Sequence, residues 1–340
     1  MPVTENVSLI AVGDVCIGGV KNPFAKTTQV LKEADLRFCN LEGPYFDGKG
    51  RILTWAPAWS PGETLPGGPR SGVKGLEYMA GAGFDIVQVA NNHSLDWGPE
   101  AFLSTLDSLE EYKIKYCGAG RNLEEARKPA ILERKGIRFA FLSYASFYKS
   151  RTEAREKRPG IVSIRIEPFY EAPHVNKEDM EAMVEDIKGA KKKADVVIVG
   201  HHWGMSVGYT LDLPQKALGR ASIDAGADLV LGTHPHVLQG IEIYKGKIIF
   251  YSLANFVFDG WTSRWGFTGG FKSMLLNFTF SKKGVKSAFF RPIAENEFEQ
   301  PEIAAPGSEK FGVIVELMDK LCKELGTTLT IEKDKAWIIK

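Results

Sequence analysis

Short apolar runs rich in Val, Ile and Leu alternate along the chain with longer segments of helical periodicity. The short runs are each bounded by glycine or polar residues, and they predict buried β-strands at residues 7–12, 36–41, 85–90, 195–199 and 228–231. The longer segments predict α-helices at residues 73–82, 99–112, 178–194 and 214–225. Because strands and helices alternate, we predict an α/β fold, a layered α/β sandwich in which helices flank the sheets on both faces.

The second half of the chain has a different pattern. Apolar runs separated by turn residues predict pairs of antiparallel strands at residues 130–143, 241–252 and 273–291. We therefore expect mixed sheets with antiparallel additions in the C-terminal half. We assign residues 1–300 to one catalytic domain and residues 301–340 to a C-terminal helix and strand extension packed on it.

The predicted strands end in side chains that can bind a metal ion. Ligands of α/β sheets bind beyond the carboxyl ends of the strands, so side chains placed there converge. Carboxylate, amide and imidazole groups are the ligands that divalent metals prefer. The sequence therefore predicts a metal cluster made of Asp14, Glu42, Asn92, His202, His234 and His236.

Each of these residues also has a simpler interpretation. Asp14 could cap a helix, Glu42 could be a surface carboxylate, and a single histidine is more often structural than a ligand. Five of the six histidines, however, follow predicted strands, and only His174 lies in an unassigned segment. Neighbouring residues on a strand face opposite ways, so only one of His201 and His202 should reach the cluster.

His93 and Asp96 are the predicted catalytic residues. His93 directly follows a predicted ligand, and the ordinary pKa of histidine lies near physiological pH, which suits proton transfer. Glycines flank the predicted site at Gly13, Gly200 and Gly232, and also at Gly204. We expect them to let backbone approach closely where the side chains converge.

Composition excludes several classes of function. The chain has 340 residues and a net charge of +1, from 43 basic and 42 acidic residues, which gives no reason to expect a nucleic-acid or membrane-surface partner. Its four cysteines form no CxxC pair, which argues against a zinc ribbon and a disulfide framework. Residues 1–6 lack a basic leader region and the apolar run that follows is short, so we expect a cytoplasmic protein without a membrane anchor.

Several strings together resemble a known family. They are GD at 13–14, NLEGP at 40–44, ANNHSLDWG at 90–98, HWG at 202–204, GTHPHVLQG at 232–240 and YSLANFVFD at 251–259. In this order they resemble the CapA-type poly-γ-glutamate (capsule) biosynthesis proteins, a branch of the calcineurin-like metallophosphoesterase superfamily. NNHSLDWG and GTHPHVLQG are the most specific of them. The resemblance implies a sandwich of the metallophosphoesterase type.

The resemblance also implies one or two divalent ions, which would be Mn, Zn or Fe. Asp14 and His236 would hold one ion, and Asn92, His202 and His234 would hold the other. In two-metal sites the ions lie about 3.5–4 Å apart and together activate water.

Two positions depart from the superfamily. Its D-x-H motif has Cys16 in place of the histidine, so either the thiolate is a ligand or that site is weak or empty. Alternatively Cys16 is a small buried residue that packs under the loop. Glu42 would be the bridging carboxylate where relatives carry aspartate. These changes argue against ordinary phosphodiesterase activity.

The leading functional hypothesis is a metal-dependent hydrolase of a small or peptide-like substrate, either an amide or a phosphoester. His93 would then give a proton to the leaving group. The alternatives are an epimerase, in which His93 moves an α-proton, and a poly-γ-glutamate biosynthesis or handling protein with a relic site. Arg51, Trp55 and Arg264 lie in loops that we expect to overhang the site, where they would bind an anionic substrate with apolar parts.

Overall fold

The computed structural model describes residues 6–48, 69–148, 150–168, 172–260 and 270–339. The helices are α1 (Thr28–Leu31), α2 (Lys74–Ala82), α3 (Gly98–Glu111), α4 (Leu123–Arg127), α5 (Lys177–Lys191), α6 (Leu213–Asp224) and α7 (Glu309–Lys323). The strands are β1 (Val7–Cys16), β2 (Leu36–Leu41), β3 (Ile86–Gln88), β4 (Lys115–Cys117), β5 (Ala119–Gly120), β6 (Ala130–Arg134), β7 (Ile137–Ala145), β8 (Gly160–Ile161), β9 (Ile166–Glu167), β10 (His174–Val175), β11 (Val196–His202), β12 (Leu229–Thr233), β13 (Ile241–Tyr244), β14 (Lys247–Phe250), β15 (Asn255–Phe258), β16 (Lys272–Ser281), β17 (Gly284–Glu295), β18 (Pro301–Ile303), β19 (Thr330–Glu332) and β20 (Lys335–Ile339).

Two mixed sheets form the centre of the molecule. The first has the strand order β19-β20-β17-β16-β1-β2-β3-β4, with β15 beside β1 and β18 beside β17. The second has the order β13-β14-β12-β11-β7-β6. Strands β1 to β4 run parallel, as do β7, β11, β12 and β14, whereas the C-terminal hairpin β16-β17 is antiparallel. This arrangement confirms the predicted sandwich of mixed sheets and its antiparallel additions.

The two sheets pack face to face, and helices cover their outer faces. Phe38 of β2 stacks on Phe141 of β7 with ring centroids 5.9 Å apart, inside a core drawn from both sheets. Helices α2 and α3 bury their apolar sides on the outer face of the first sheet. Helices α5 and α6 do the same on the second sheet. No helix in the described ranges is long and apolar enough to cross a membrane.

Alternation along each strand decides which side chains enter the space between the sheets. In β11, Val196 and Ile198 belong to the core between the sheets, whereas Val197 and Val199 face the outer helices. The period of two continues to the end of the strand, so His202 lies on the inner side. The same rule directs Asn40 of β2, Gln88 of β3 and Thr233 of β12 into this space.

Two strands run further than their apolar residues predict. Strand β1 continues to Cys16 because β15 pairs with it there, and β11 continues to His202 because β7 and β12 pair with it on both sides. Asp14 and His202 therefore lie in paired strand ends, beyond the predicted strand bounds of residues 7–12 and 195–199. Pairing with a neighbouring strand holds the backbone of Asp14 and of His202 more rigidly than an unpaired loop would.

Residues 301–339 add strands and one helix to the same body. Strands β18 and β20 pair with β17 of the first sheet, and α7 packs against β17 and β13, one strand from each sheet. The division of the chain at residue 300 stays a prediction.

Candidate metal centre

The six predicted metal ligands meet at one edge of the sandwich, between the carboxyl ends of the parallel strands. The first sheet brings the two carboxylates and Asn92, and the second brings the three imidazoles. In the described part of the chain, one group of acidic, thiol and imidazole residues has ligand atoms that all lie within 4.8 Å of one another: Asp14, Glu42 and His202. Three of the six predicted ligands thus lie close enough to share one ion, and the metal-binding role of all six stays a prediction.

An asparagine holds the two carboxylates together. Asn40, at the inner side of β2, donates from Nδ2 to Asp14 Oδ1 at 2.8 Å and to Glu42 Oε2 at 2.6 Å. Asn91 in turn donates from Nδ2 to Asn40 Oδ1 at 3.2 Å, which fixes the orientation of the Asn40 amide. Both carboxylates are fully buried. Burial, and secondly the neighbouring Asp14, raises the pKa of the Glu42 carboxyl well above its ordinary value.

Each carboxylate has one oxygen atom that suits a cation. Asp14 Oδ2 and Glu42 Oε1 are buried and have no hydrogen-bond partner among the described residues. A buried carboxylate oxygen without a donor is costly, and coordination of a metal ion removes that cost. The donor set of carboxylate oxygen, amide oxygen and imidazole nitrogen therefore fits one or two divalent ions.

The imidazoles from the second sheet are close-packed around Asn92. His202 Nε2 lies 2.7 Å from Asn92 Oδ1 and 3.1 Å from His234 Nδ1. Burial lowers the pKa of His202 and His234 well below the ordinary value for histidine, and neighbouring histidines lower it further. A neutral imidazole has a lone pair, which a metal ligand needs.

Unusual backbone conformations turn two histidines into the site. His234 has φ 94° and His236 has φ 59°, both in the left-handed region that non-glycine residues seldom adopt. Such conformations cost on the order of 1–3 kcal/mol each and cluster at functional sites. They bring the two ring centroids within 5.7 Å of each other.

His236 connects the two sets of ligands. Its Nδ1 lies 3.3 Å from Asp14 Oδ2 and 2.8 Å from Asn255 Oδ1, the first residue of β15. The ring also packs edge-on against Phe258 at 5.0 Å. His236 is therefore placed to share a metal ion with Asp14, as the family resemblance implies.

His93 and Asp96 form a hydrogen-bonded pair beside the ligands. His93 Nδ1 lies 2.7 Å from Asp96 Oδ2, and His93 Nε2 lies 3.8 Å from Glu42 Oε1. Because an ionised carboxylate only accepts hydrogen bonds, Asp96 favours the proton on Nδ1 and leaves Nε2 directed at the cluster. Asp96 is almost fully buried, whereas the His93 side chain is 19% exposed. This is the geometry of an oriented group for proton transfer.

His201 lies on the other side of its strand. Its Nε2 is 3.0 Å from Ser222 Oγ of α6, and its ring stacks on Trp203 with centroids 4.4 Å apart. Cys16 is buried in the apolar core beneath the outer helices of the first sheet and does not belong to the group around Asp14.

Two of the flanking glycines lie where a neighbouring atom leaves no room for a side chain. A Cβ on Gly13 would lie 1.8 Å from Ala254 O, where Asp14 N donates to that oxygen at 2.9 Å. A Cβ on Gly200 would lie 1.9 Å from Gln88 Oε1. Neither position has room for a side chain, and the neighbour is backbone, as predicted, at Gly13, whereas at Gly200 it is the side chain of Gln88.

Several residues of the site were not singled out in the sequence. Asn40, Asn91 and Asn255 occur within the recognised motifs, and their position at strand ends is the signal that could have found them. Phe147 stacks on His234 at 4.0 Å, and Ser206 Oγ lies 3.2 Å from His234 Nε2, but neither has a sequence signal. The predicted substrate-binding residues Arg51, Trp55 and Arg264 lie outside the described residues.

The fold and this cluster define the chain as an α/β sandwich protein with a candidate divalent-metal centre. Residues 8–260 match the family described as bacterial capsule synthesis protein PGA_cap. The chain belongs to this family, which confirms the resemblance carried by the sequence motifs.

Individual relatives agree with this assignment. The capsule biosynthesis protein CapA of Bacillus anthracis is 37% identical over 183 residues, which are 53% of this chain and 42% of that protein. The PGA biosynthesis protein CapA of Bacillus subtilis (strain 168) is 36% identical over 181 residues, 53% of this chain and 44% of that protein. The matched part thus spans less than half the length of either relative.

Among solved structures, a putative 5'-nucleotidase from Staphylococcus aureus in complex with alpha-ketoglutarate is similar to this chain with a TM-score of 0.43. It is 11% identical, and the match covers 92% of this chain and 58% of that one.

Proposed function

We propose that the protein is a metal-dependent hydrolase of the CapA-like family that acts on a small or peptide-like substrate, an amide or a phosphoester. The observation that carries this proposal is the pair of buried carboxylate oxygens without donors, Asp14 Oδ2 and Glu42 Oε1, beside neutral imidazoles. Such an arrangement is unfavourable without a cation and favourable with one.

The ligands divide between two ions as the motifs imply. Asp14 and His236 would hold one, Asn92, His202 and His234 would hold the other, and these mixed oxygen and nitrogen donors suit Mn, Zn or Fe. When bound, such ions supply Lewis acidity for hydrolysis. The protein itself orients these donor atoms, and their burial excludes bulk water from them.

His93 is the residue proposed to move a proton. In the doubly protonated imidazolium form, His93 keeps Nδ1–H bonded to Asp96, and Nε2–H faces the substrate and can donate its proton to the leaving group, which leaves His93 neutral. The partial exposure of the His93 side chain supports this role, because the substrate must reach it from solvent.

Apolar side chains beside the imidazoles support a substrate with an apolar part. Phe147 is 40% exposed while it stacks on His234, and Met205 and Val207, next to the Ser206 that contacts His234, are 65% and 43% exposed. The anion-binding role of Arg51, Trp55 and Arg264 and the cytoplasmic location stay predictions.

The test is a hydrolysis assay with defined substrates. The protein would be freed of metal with a chelator, reloaded with Mn²⁺ or Zn²⁺, and given p-nitrophenyl phosphate, bis(p-nitrophenyl) phosphate and γ-glutamyl p-nitroanilide. The last is included because the names of the Bacillus relatives refer to capsule or PGA biosynthesis. We expect release of p-nitrophenol or p-nitroaniline that disappears in the chelated control.

Two other results would overturn the proposal. Solvent deuterium entering the α-position of a glutamyl peptide, without hydrolysis, would show the epimerase instead. Metal binding with neither hydrolysis nor exchange would show a handling protein.

A further inference from the structure

A glutamine crosses the space between the two sheets directly beneath the metal cluster. Gln88 is the last residue of β3 in the first sheet, and its Nε2 donates to Thr233 Oγ1 of β12 in the second sheet at 2.7 Å. Both side chains are fully buried. Gly200 of β11 has no side chain at the point where Gln88 passes, and a Cβ there would lie 1.9 Å from Gln88 Oε1.

Thr233 has three polar neighbours, and their hydrogens can be counted. A threonine hydroxyl has one hydrogen and two lone pairs. Gln88 Nε2 occupies one lone pair, and the hydroxyl hydrogen is donated to His201 O at 3.3 Å. The remaining lone pair faces His202 Nδ1 at 3.1 Å. All three contacts are hydrogen bonds only if His202 Nδ1 carries a proton.

We propose that Gln88 and Thr233 are positioning residues that hold His202 in the Nδ1–H tautomer and so direct the lone pair of Nε2 at the metal cluster. Gln88 Nε2 donates to one lone pair of the Thr233 hydroxyl, and the hydroxyl donates its own hydrogen to His201 O. The contact with His202 Nδ1 is then a hydrogen bond only when Nδ1–H donates to the remaining lone pair. The Gln88 bridge also fixes the distance between β3 and β12, the strands that lead to Asn92 and His234.

The surroundings of Nε2 show what this tautomer does. With the proton on Nδ1, the Nε2 lone pair lies 2.7 Å from Asn92 Oδ1, which is itself an acceptor. In the metal-free protein this lone pair can accept from His234 Nδ1 at 3.1 Å, or from Asn92 Nδ2 when the amide is turned, and a bound cation would take the place of these donors. This inference rests on the proposed metal site, but the tautomer is a property of the metal-free protein and can be measured separately.

The first measurement is the tautomer itself. Long-range ¹H–¹⁵N NMR spectra of metal-free protein with ¹⁵N-labelled histidine distinguish Nδ1–H from Nε2–H, and the His202 signals are assigned by their loss in His202→Gln. We expect Nδ1–H in the wild type and a shift towards Nε2–H in Thr233→Val, which removes the acceptor while keeping the shape. Thr233→Ser should restore Nδ1–H. The proposal would be overturned if the wild type has the Nε2–H tautomer. It would also be overturned if Thr233→Val keeps the same tautomer as the wild type.

The second measurement is the affinity for Zn²⁺ alone, by competition with a chromophoric chelator. Residues that orient metal-bound histidines typically contribute about 10–100-fold to affinity. We expect a loss of this size in Thr233→Val and in Gln88→Met, which keeps the length of the side chain without its donor. Thr105→Val is the matched control, because Thr105 is also buried and hydrogen-bonded, to Tyr45 N at 3.0 Å, but lies away from the cluster.

The two measurements separate the possible failures. If the wild type binds no Zn²⁺ but has the Nδ1–H tautomer, the proposed metal site fails and the positioning by Gln88 and Thr233 stands. If the wild type binds Zn²⁺ and neither variant differs from Thr105→Val, the positioning role is wrong. Should Thr233→Val not fold, Gln88→Met and the wild-type spectrum still decide.

Discussion

The candidate metal centre has two halves of opposite character, one from each sheet. The carboxylate half, Asp14 and Glu42 of the first sheet, is buried and acidic, with two oxygens that lack donors among the described residues. The imidazole half, His202 and His234 of the second sheet, is buried and neutral, because burial lowers the pKa of both rings.

The difference shows where a cation is needed and where its geometry is set. Two buried carboxylates joined by Asn40 repel each other, so the first half gains most from positive charge. The second half has no charge to neutralise, but its rings are fixed by hydrogen bonds and by left-handed backbone at His234. We therefore expect the first half to control stability without metal and the second to control which ligand atoms face the ion.

Removal of the imidazole half should have the largest effect on metal content and turnover. The double variant His202→Ala/His234→Ala is expected to lose at least one equivalent of Zn²⁺ and all turnover, because it removes two ligands of the same ion. Metal would be counted by mass spectrometry after dialysis. His201→Ala is the control, because His201 is adjacent in sequence but contacts Ser222 on the outer side. Equal metal content in the double variant and the control would mean that the imidazole half does not bind metal.

His93→Ala should lower turnover by about 10²–10⁴-fold and leave the metal content unchanged, since a positioned acid–base group contributes this much. The rate and the metal content would be measured on the same preparation. His174→Ala provides a matched control, because His174 also pairs with a carboxylate, Glu167 Oε2 at 3.1 Å, but in the separate two-stranded sheet β9-β10. Loss of metal together with activity would make His93 a ligand and extend the imidazole half into the first sheet.

Glu42→Gln should stabilise the metal-free protein by about 1–3 kcal/mol, the size of a buried polar group's unsatisfied cost. The amide oxygen can still accept from Asn40, and the repulsion with Asp14 disappears. Urea unfolding in the presence of a chelator at neutral pH would measure this. His202→Gln replaces one neutral group with another and should give no gain. A destabilised Glu42→Gln protein would show that the carboxylate half carries no uncompensated charge.

Cys16→Ser should have the smallest effect, leaving the affinity for each equivalent of Zn²⁺ unchanged. Cys16 packs in the apolar core and not with the ligands of the carboxylate half. The measurement is a Zn²⁺ titration of metal-free protein. Selective loss of one equivalent would instead show that the thiolate is a ligand.

The sequence was sufficient for the apolar parts of the main parallel strands, because buried strands have a strong apolar pattern, but it did not predict β15, which extends β1 beside Asp14. The sequence could not predict which side chains contact each other between the two sheets. Gln88 and Thr233 are separated by 145 positions and meet only because two sheets pack together. The left-handed conformations of His234 and His236 also depend on tertiary surroundings, since no glycine marks them.

Anomalous scattering from crystals soaked separately in Mn²⁺, Zn²⁺ and Fe²⁺ would show whether this cluster binds a metal ion. We expect a peak within coordination distance of Asn92 Oδ1, His202 Nε2 and His234 Nδ1, and with a second ion also a peak beside Asp14 Oδ2 and His236. The absence of any peak at these atoms with all three metals would contradict this expectation.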